Sequence, residues 1–112
     1  MKIYDLKNFT RGWFVGNFEP TILKTKEFEI GIASHKKDEN WPKHYHKVAT
    51  EFNVILNGKI KLNDTVLDKN KIFVVEKEEV TKIQFLEDSV ILVIKTPSVP
   101  GDKYIVKEEK ES

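Results

Sequence analysis

The chain has 112 residues, enough for one domain with a modest hydrophobic core. Its composition, 39% hydrophobic and 33% charged residues with a formal net charge of +1, is typical of a soluble globular protein. Arg11 is the only arginine and the lysines are interspersed with glutamates, so the clustered basic face of a nucleic-acid-binding protein is not expected. The absence of cysteine excludes disulfides and thiolate metal sites.

The sequence contains no long apolar run. Its first ten residues lack the apolar stretch of a signal peptide, and no later stretch approaches the length of a membrane span. We therefore expect a cytoplasmic protein without a membrane partner.

The N-terminal part of the sequence predicts an arm followed by strands. Residues 1–11 are polar and predict the arm, whereas the aromatic stretch 13–18 and residues 21–26 each predict a strand. From residue 28 to residue 33, large apolar residues alternate with small or charged ones, which is the period of a half-buried strand. If that face looks inward, its small residues leave room beside a cavity; they are Gly31 and Ala33.

A pair of histidines follows a polar loop at residues 35–42. His44 and His46 stand at i and i+2, so both side chains point to the same face of a strand. Glu51 can return to the same place if the chain turns near residues 48–50. Two imidazoles and one carboxylate suit a transition metal with open coordination positions. This segment therefore predicts a metal site.

The second half of the chain predicts a series of short strands joined by turns. Apolar residues alternate with others after Glu51, and Asn57–Gly58 is a strong hairpin-turn signal. The apolar stretches 72–75 and 90–94 predict buried strands. Because no helical period persists, we expect an all-β sandwich or barrel.

The spacing around the histidines resembles the first motif of the cupin family. That motif is glycine, five residues, His-x-His, three or four residues, glutamate, six residues and glycine, and the chain matches it at His44, His46, Glu51 and Gly58. Asp38 takes the place of the leading glycine. The resemblance covers roughly residues 28–95 and implies an all-β, cupin-type double-stranded β-helix, which is a jelly-roll barrel.

The second cupin motif has no residue-level match in the chain. It is glycine, five residues, proline, one residue, glycine, two residues, histidine, three residues and asparagine. On the register of the first motif, these positions hold Asn70, Glu76, Glu78, Thr81 and Phe85. A strand–turn–strand pattern over residues 72–85 still fits the family.

The resemblance implies that His44, His46 and Glu51 are metal ligands, and it places Thr81 where the family has a fourth ligand, a histidine. Thr81 shares a strand face with Ile83, so we expect its hydroxyl to face into the barrel and to orient a metal-bound water. Imidazole and carboxylate ligands accept zinc, iron, nickel, manganese or copper. The alternative is a barrel without metal in which the histidines form a hydrogen-bonded polar cluster. His35 is expected on the surface rather than as another ligand.

We expect a single cupin domain that dimerises. Its predicted parts are an N-terminal arm with strands (1–27), a barrel core (28–95), and a C-terminal turn with a charged tail (96–112, solvated from 107 onwards). If Glu51 faces inward, the apolar residues that alternate with it form an outer face that must be covered, namely Phe52, Val54 and Leu56. We therefore expect a homodimer in which the N-terminal segment contributes to the interface.

Two classes of function remain open for a cupin-like chain. A metal on three protein ligands has room for water, oxygen or a bidentate substrate, and the resemblance implies dioxygenase, isomerase or lyase chemistry on a small organic molecule. A non-catalytic binding or sensing module is the alternative, because no residue stands out as a general acid or base. A nucleotide-sugar epimerase is disfavoured, since a single arginine offers little for phosphates.

Overall fold

The computed structural model describes residues 1–107, which form short strands almost throughout. Two 3-10 turns, Leu6–Asn8 and Thr10–Gly12, precede ten strands. The strands are β1 (Trp13–Val15), β2 (Glu29–His35), β3 (His44–Tyr45), β4 (Thr50–Asn57), β5 (Lys59–Leu62), β6 (Thr65–Asp68), β7 (Ile72–Val75), β8 (Ile83–Phe85), β9 (Ser89–Thr96) and β10 (Tyr104–Ile105). The all-β prediction is confirmed. Within residues 1–107, no helix is long and apolar enough to cross a membrane.

The strands form two larger antiparallel sheets and a small third one. The first sheet has the order β1-β2-β9-β4-β7, the second has the order β6-β5-β8, and β3 pairs with β10 alone. The hydrophobic core lies between the two larger sheets, because each contributes buried side chains to one cluster. These are Ile55, Phe73, Val75, Ile91 and Val93 from the first sheet and Ile60 and Phe85 from the second.

Strand β4 shows the alternation that positions the site. Its inward-facing residues are buried: Glu51, Asn53 and Ile55. Phe52 and Leu56 are 40% and 39% exposed on the opposite face. The predicted inside and outside of this strand are therefore confirmed.

The turn at Asn57–Gly58 is confirmed, but the predicted hairpin pairing is wrong. Strand β4 pairs with β7 and β9, whereas β5 pairs with β6 and β8, so the chain crosses from one sheet to the other at this turn. Gly58 has φ 100°, and a Cβ there would lie 2.6 Å from the carbonyl oxygen of Asp88. Close packing against the Asp88 backbone therefore bends the chain where a local signal predicts a simple reversal.

Three predicted strands differ from the structure. The aromatic stretch 13–18 forms a strand only at Trp13–Val15. Residues 21–26 form only one bridge, Val15 to Leu23, and the side chains of Ile22 and Leu23 are exposed, so this segment has no buried face to stabilise a full strand. The stretch 72–75 is a strand but is not fully buried, since β7 lies at a sheet edge with Ile72 67% exposed.

The C-terminal segment is part of the fold rather than only a turn and tail. Strand β10 pairs with β3, and Lys43 accepts a backbone hydrogen bond from Val106 at 2.9 Å. Lys107 is exposed, and the rest of the predicted solvated tail, residues 108–112, lies outside the described residues.

Candidate functional site

His44 lies on the short strand β3, and His46 follows this strand directly. They are 8% and 2% exposed, and their ring centroids lie 5.4 Å apart in an edge-to-face arrangement. His44 exchanges two backbone hydrogen bonds with Thr81, at 3.1 and 3.0 Å, which fixes the strand. The i, i+2 spacing thus places both imidazoles inside, next to each other.

Glu51 reaches the same region from the start of β4. Glu51 is 8% exposed, and its Oε2 atom lies 3.6 Å from His46 Nε2 and 3.9 Å from Lys95 Nζ. Lys95 is the direct cross-strand partner of Glu51 and also of Glu29, so a lysine stands between two carboxylates on the inner face. The structure therefore brings Glu51 to His46 and adds a cation that the sequence prediction did not include.

The three predicted ligands are neighbours but are not arranged around a common point. Among residues 1–107, no three His, Cys, Asp or Glu side chains form a group that could hold a metal ion. The Glu51 carboxylate lies between the His46 ring and the Lys95 ammonium.

Burial controls the charge of the two imidazoles. Desolvation lowers the pKa of His44 and of His46 below the ordinary value for histidine, because the charged form loses contact with water. The Lys95 ammonium lowers the pKa of His46 further, and the Glu51 carboxylate opposes this change. Both rings are therefore neutral near pH 7, which is the form that binds metals.

Asp102 shapes the loop between His46 and Glu51, and sequence reasoning missed it. Its buried carboxylate accepts backbone hydrogen bonds from Lys47, Val48 and Ala49, at 2.9, 3.1 and 2.9 Å. Burial by itself raises the pKa of this carboxyl, but the three N–H donors outweigh burial and lower it. The turn expected near residues 48–50 thus depends on a residue more than fifty positions away.

Three residues have a left-handed backbone at positions where the two cupin motifs have glycine. Asp38, Asn70 and Glu78 have φ angles of 69°, 71° and 67°. This region favours glycine, and aspartate and asparagine adopt it more readily than other residues do. The backbone at these positions therefore has a conformation that glycine would favour. The Glu78 N–H also donates to the carbonyl of His46, which connects this turn to the site.

Thr81 and His35 occupy different parts of the barrel. Thr81 is 4% exposed and forms an antiparallel bridge with His44. His35 is packed rather than surface-exposed, so that prediction is wrong: its ring stacks on Phe85 with centroids 4.2 Å apart, and its Nδ1 atom pairs with Glu39. The polar loop in front of His44 covers this ring, with Trp41 against its edge.

Lys95 could have been found from the sequence by extending the alternation of β9. Ser89, Ile91 and Val93 are buried on the inner face, and Lys95 is next in phase. A charged residue at a position that continues a buried face indicates either the end of the core or a functional group. Lys95 lies at the end of the core, since its side chain is 18% exposed, and it contacts the candidate site through Glu51.

Comparison with known proteins identifies the fold. No family model matches the chain, and no curated protein matches its sequence. Among solved structures, a conserved double-stranded β-helix protein from Klebsiella pneumoniae subsp. pneumoniae MGH 78578 is similar with a TM-score of 0.70 and 13% identity, over 96% of this chain and 93% of that one. An RmlC-like cupin from Shewanella frigidimarina NCIMB 400 is similar with a TM-score of 0.63 and 14% identity, over 67% and 70% of the two chains. The chain has the cupin fold.

A third similar structure is an enzyme of this fold. The DMSP lyase DddQ from Ruegeria pomeroyi DSS-3 is similar to the chain with a TM-score of 0.72 and 13% identity. The match covers 88% of this chain and 52% of the lyase, so the chain spans about half the length of that protein. These structural similarities show the cupin fold alone, and the chemistry of the site must be argued from its own residues.

Proposed function

We propose that the chain is a cytoplasmic cupin that binds a small organic molecule at a divalent transition metal ion held by His44, His46 and Glu51. The observation that carries this proposal is the burial of two neutral imidazoles beside a carboxylate on the inner face of the barrel. Zinc, iron, nickel, manganese and copper all accept this set of ligands.

The donor types of the site suit such an ion, although the three side chains do not converge on one point within residues 1–107. His46 Nδ1 is buried and has no hydrogen-bond partner within the described part of the chain, and its Nε2 faces Glu51 at 3.6 Å, beyond hydrogen-bond range. A buried imidazole without hydrogen bonds loses its contacts with water and gains nothing in return. A bound ion shared with Glu51 would supply an interaction for Nε2, the ring nitrogen that faces the carboxylate.

The residues around the ligands suit a substrate-binding role. A bound ion would act as a Lewis acid on a substrate oxygen. Thr81, opposite His44, is proposed to orient a water or substrate in the barrel, and Lys95 balances the charge of Glu51. Dioxygenase, isomerase and lyase reactions are the candidates that the cupin resemblance suggests, and the similarity to a DMSP lyase is compatible with the last of these.

A specific observation also favours a non-catalytic binding or sensing barrel without metal. The Lys95 ammonium already neutralises Glu51, and no three ligand side chains within residues 1–107 are grouped for an ion. In this second function the histidines form a neutral polar lining for an organic ligand. The two proposals differ in whether the purified protein retains a metal.

Metal analysis of histidine variants distinguishes the two functions. The protein is loaded in turn with zinc, iron, nickel, manganese and copper, dialysed, and measured by plasma mass spectrometry, together with His46→Ala and the control His35→Gln. We expect about one ion per chain in the wild type and in the control. His46→Ala should lose more than about tenfold in affinity, since even outer-shell substitutions cost roughly 10- to 100-fold.

The opposite results are equally informative. An ion that stays bound with unchanged affinity in His46→Ala would remove the ligand assignment. If neither the wild type nor the His35→Gln control retains any of the five metals, the result supports the second proposal, a non-catalytic binding or sensing barrel without metal.

A further inference from the structure

Lys95 is the middle member of a row of three charged residues on the five-stranded sheet. Strand register places it directly between Glu29 of β2 and Glu51 of β4. Both glutamates are buried, and the Lys95 side chain is largely shielded from water. A lysine is rarely buried to this extent unless it has a partner of opposite charge. Two buried carboxylates therefore compete for one ammonium group.

The ammonium group contacts the carboxylate on the histidine side of this row. Lys95 Nζ lies 3.9 Å from Glu51 Oε2, and within residues 1–107 no other carboxylate oxygen is within 4.0 Å of it. Glu51 Oε2 is also the atom that lies 3.6 Å from His46 Nε2. The ammonium and the imidazole therefore approach the same oxygen atom.

This shared oxygen has consequences for a metal ion. An ion bound by His46 and Glu51 would approach a carboxylate that already has a positive group beside it. Two positive charges a few ångströms apart repel each other, most strongly in a buried site where water screens them little. The contact with Lys95 therefore opposes the ion. It also accounts for the finding that the predicted ligands are neighbours without surrounding a common point in the described part of the chain.

Lys95 has a second place for its ammonium group, on the side of the row away from the histidines. Glu29 is its strand partner there, and the ring centroid of Trp13 on β1 lies 5.2 Å from Nζ. The ring is packed closely over Gly31, where a Cβ would lie 2.6 Å from it. A carboxylate and an aromatic face both stabilise an ammonium group. Lys95 can therefore leave Glu51 without losing every partner.

We propose that Lys95 is a built-in counter-cation of the candidate metal site, which holds Glu51 in the metal-free barrel and moves toward Glu29 and Trp13 when a divalent ion binds. The inference rests on the proposed function in taking His46 and Glu51 as ligands. Lys95 is not a ligand in this scheme. It lowers the affinity of the site, so its removal should increase metal binding.

Substitution of Lys95 tests the inference by a gain of binding. Lys95→Met removes the charge and keeps an unbranched side chain, whereas Lys95→Arg keeps the charge. Zinc affinity is measured by calorimetric titration of each metal-stripped protein. We expect Lys95→Met to bind zinc at least about tenfold more tightly than the wild type, and Lys95→Arg to bind it as the wild type does. A lysine with only a structural role would weaken zinc binding when replaced, or leave it unchanged.

The matched control is another lysine beside a glutamate. Lys59 Nζ lies 3.9 Å from Glu87 Oε1, but both side chains are exposed, and Lys59 lies on β5 in the other sheet. Lys59→Met should therefore bind zinc as the wild type does. Urea denaturation verifies that each variant is folded, and Lys95→Gln, which also removes the charge, takes the place of Lys95→Met if the latter does not fold.

The indole N–H signal of Trp13 reports the movement of the ammonium group. Trp13 and Trp41 are the only tryptophans of the chain, so the Trp41→Phe variant assigns both NMR signals. Zinc has a filled d shell and leaves these signals observable. Zinc should shift the Trp13 signal in the wild type, and much less in Lys95→Met. Equal shifts in the two proteins, or none in a wild type saturated with zinc, would overturn the inference.

The remaining outcomes separate this inference from the metal proposal. Zinc binding by Lys95→Met but not by the wild type supports the inference, while the metal proposal fails for zinc in the natural chain. Zinc binding by the wild type that Lys95→Met leaves unchanged or weakens overturns the inference, and the metal proposal stands. A similar gain in Lys59→Met would also overturn it, because a general loss of positive charge would then be the cause. If no Lys95 variant gains zinc affinity, the inference fails whatever the wild type retains.

Discussion

Asp102 is the residue on which the local shape of the site depends most. Its carboxylate accepts the N–H groups of three consecutive residues, Lys47 to Ala49, in the loop that separates His46 from Glu51. Because these donors are partly or fully buried, water cannot fully replace the carboxylate. The loop should therefore lose its fixed conformation when the carboxylate is removed.

The Asp102→Ala substitution should lower the free energy of unfolding by about 3 kcal/mol, since it leaves several backbone donors without a charged acceptor. Urea denaturation measures this change. The control is Asp88→Ala, which removes one exposed hydrogen bond to the Lys37 N–H at 2.8 Å and should cost less than about 1 kcal/mol. Equal losses in both variants would show that the loop does not depend on Asp102.

The spacing of residues along the sequence predicted only those neighbours in the site that are also close together in the sequence. His44 and His46 share a face because strands have a period of two, and Glu51 follows after a short loop. Lys95 and Asp102 reach the same place through strand register and through a contact across fifty residues, which no local pattern contains. The sequence therefore predicted that His44, His46 and Glu51 are neighbours, but it did not predict the charged groups around them.

Among the elements, the turn between β7 and β8 has a backbone conformation that its residue Glu78 does not favour. Glu78 has φ 67° at a position where the cupin motif has glycine, and its N–H donates to the carbonyl of His46. A left-handed conformation costs a non-glycine residue roughly 1–2 kcal/mol. The turn is therefore retained by its surroundings at the expense of local strain.

The Glu78→Gly substitution should stabilise the protein by about 0.5 kcal/mol, because relief of the strained φ exceeds the entropy that glycine adds to the unfolded chain. The neighbouring control Lys77→Gly, at an exposed residue without a positive φ, should instead destabilise the protein by about 0.5–1 kcal/mol. Chemical denaturation of the two variants measures the difference. A loss of stability in Glu78→Gly equal to that in the control would contradict the assignment of strain to this turn.

The elements also show where sequence patterns stop being sufficient. The Asn57–Gly58 signal predicted a turn correctly, but a turn signal does not specify which strands pair on either side of it. Here the close approach of Gly58 to Asp88 sends the chain into the other sheet. Residues 21–26 have strand-like composition but no buried face, so tertiary contacts limit them to one bridge.

At the scale of the whole molecule, the outer face of the five-stranded sheet is apolar. Strand register aligns two rows of side chains across β2, β9, β4 and β7 on this face. The rows are Ile30, Ile94, Phe52 and Val74, and Ile32, Leu92, Val54 and Ile72. The N-terminal arm carries further exposed apolar residues, among them Ile3 and Leu6. We propose that these surfaces meet in a homodimer, because a continuous apolar face of this kind is unfavourable in water.

Light scattering coupled to size-exclusion chromatography tests the homodimer. We expect the wild type to elute with twice the mass of one chain, and Val74→Lys to shift the protein to the monomer, since a charge on the apolar face opposes burial. Val66→Lys is the control, because Val66 is 55% exposed on β6 in the other sheet. A wild type with the mass of one chain at all concentrations would contradict the homodimer.

Strand β3, which carries His44, belongs to neither of the larger sheets. It pairs with β10 and forms a bridge to Thr81. The loop that follows it donates backbone hydrogen bonds to the Asp102 carboxylate. A folding intermediate with both large sheets but an undocked C-terminal segment would accordingly have a core without an ordered histidine site. The site should form late in folding, when a loop of about fifty residues closes, and any ligand that binds it would select the fully assembled chain.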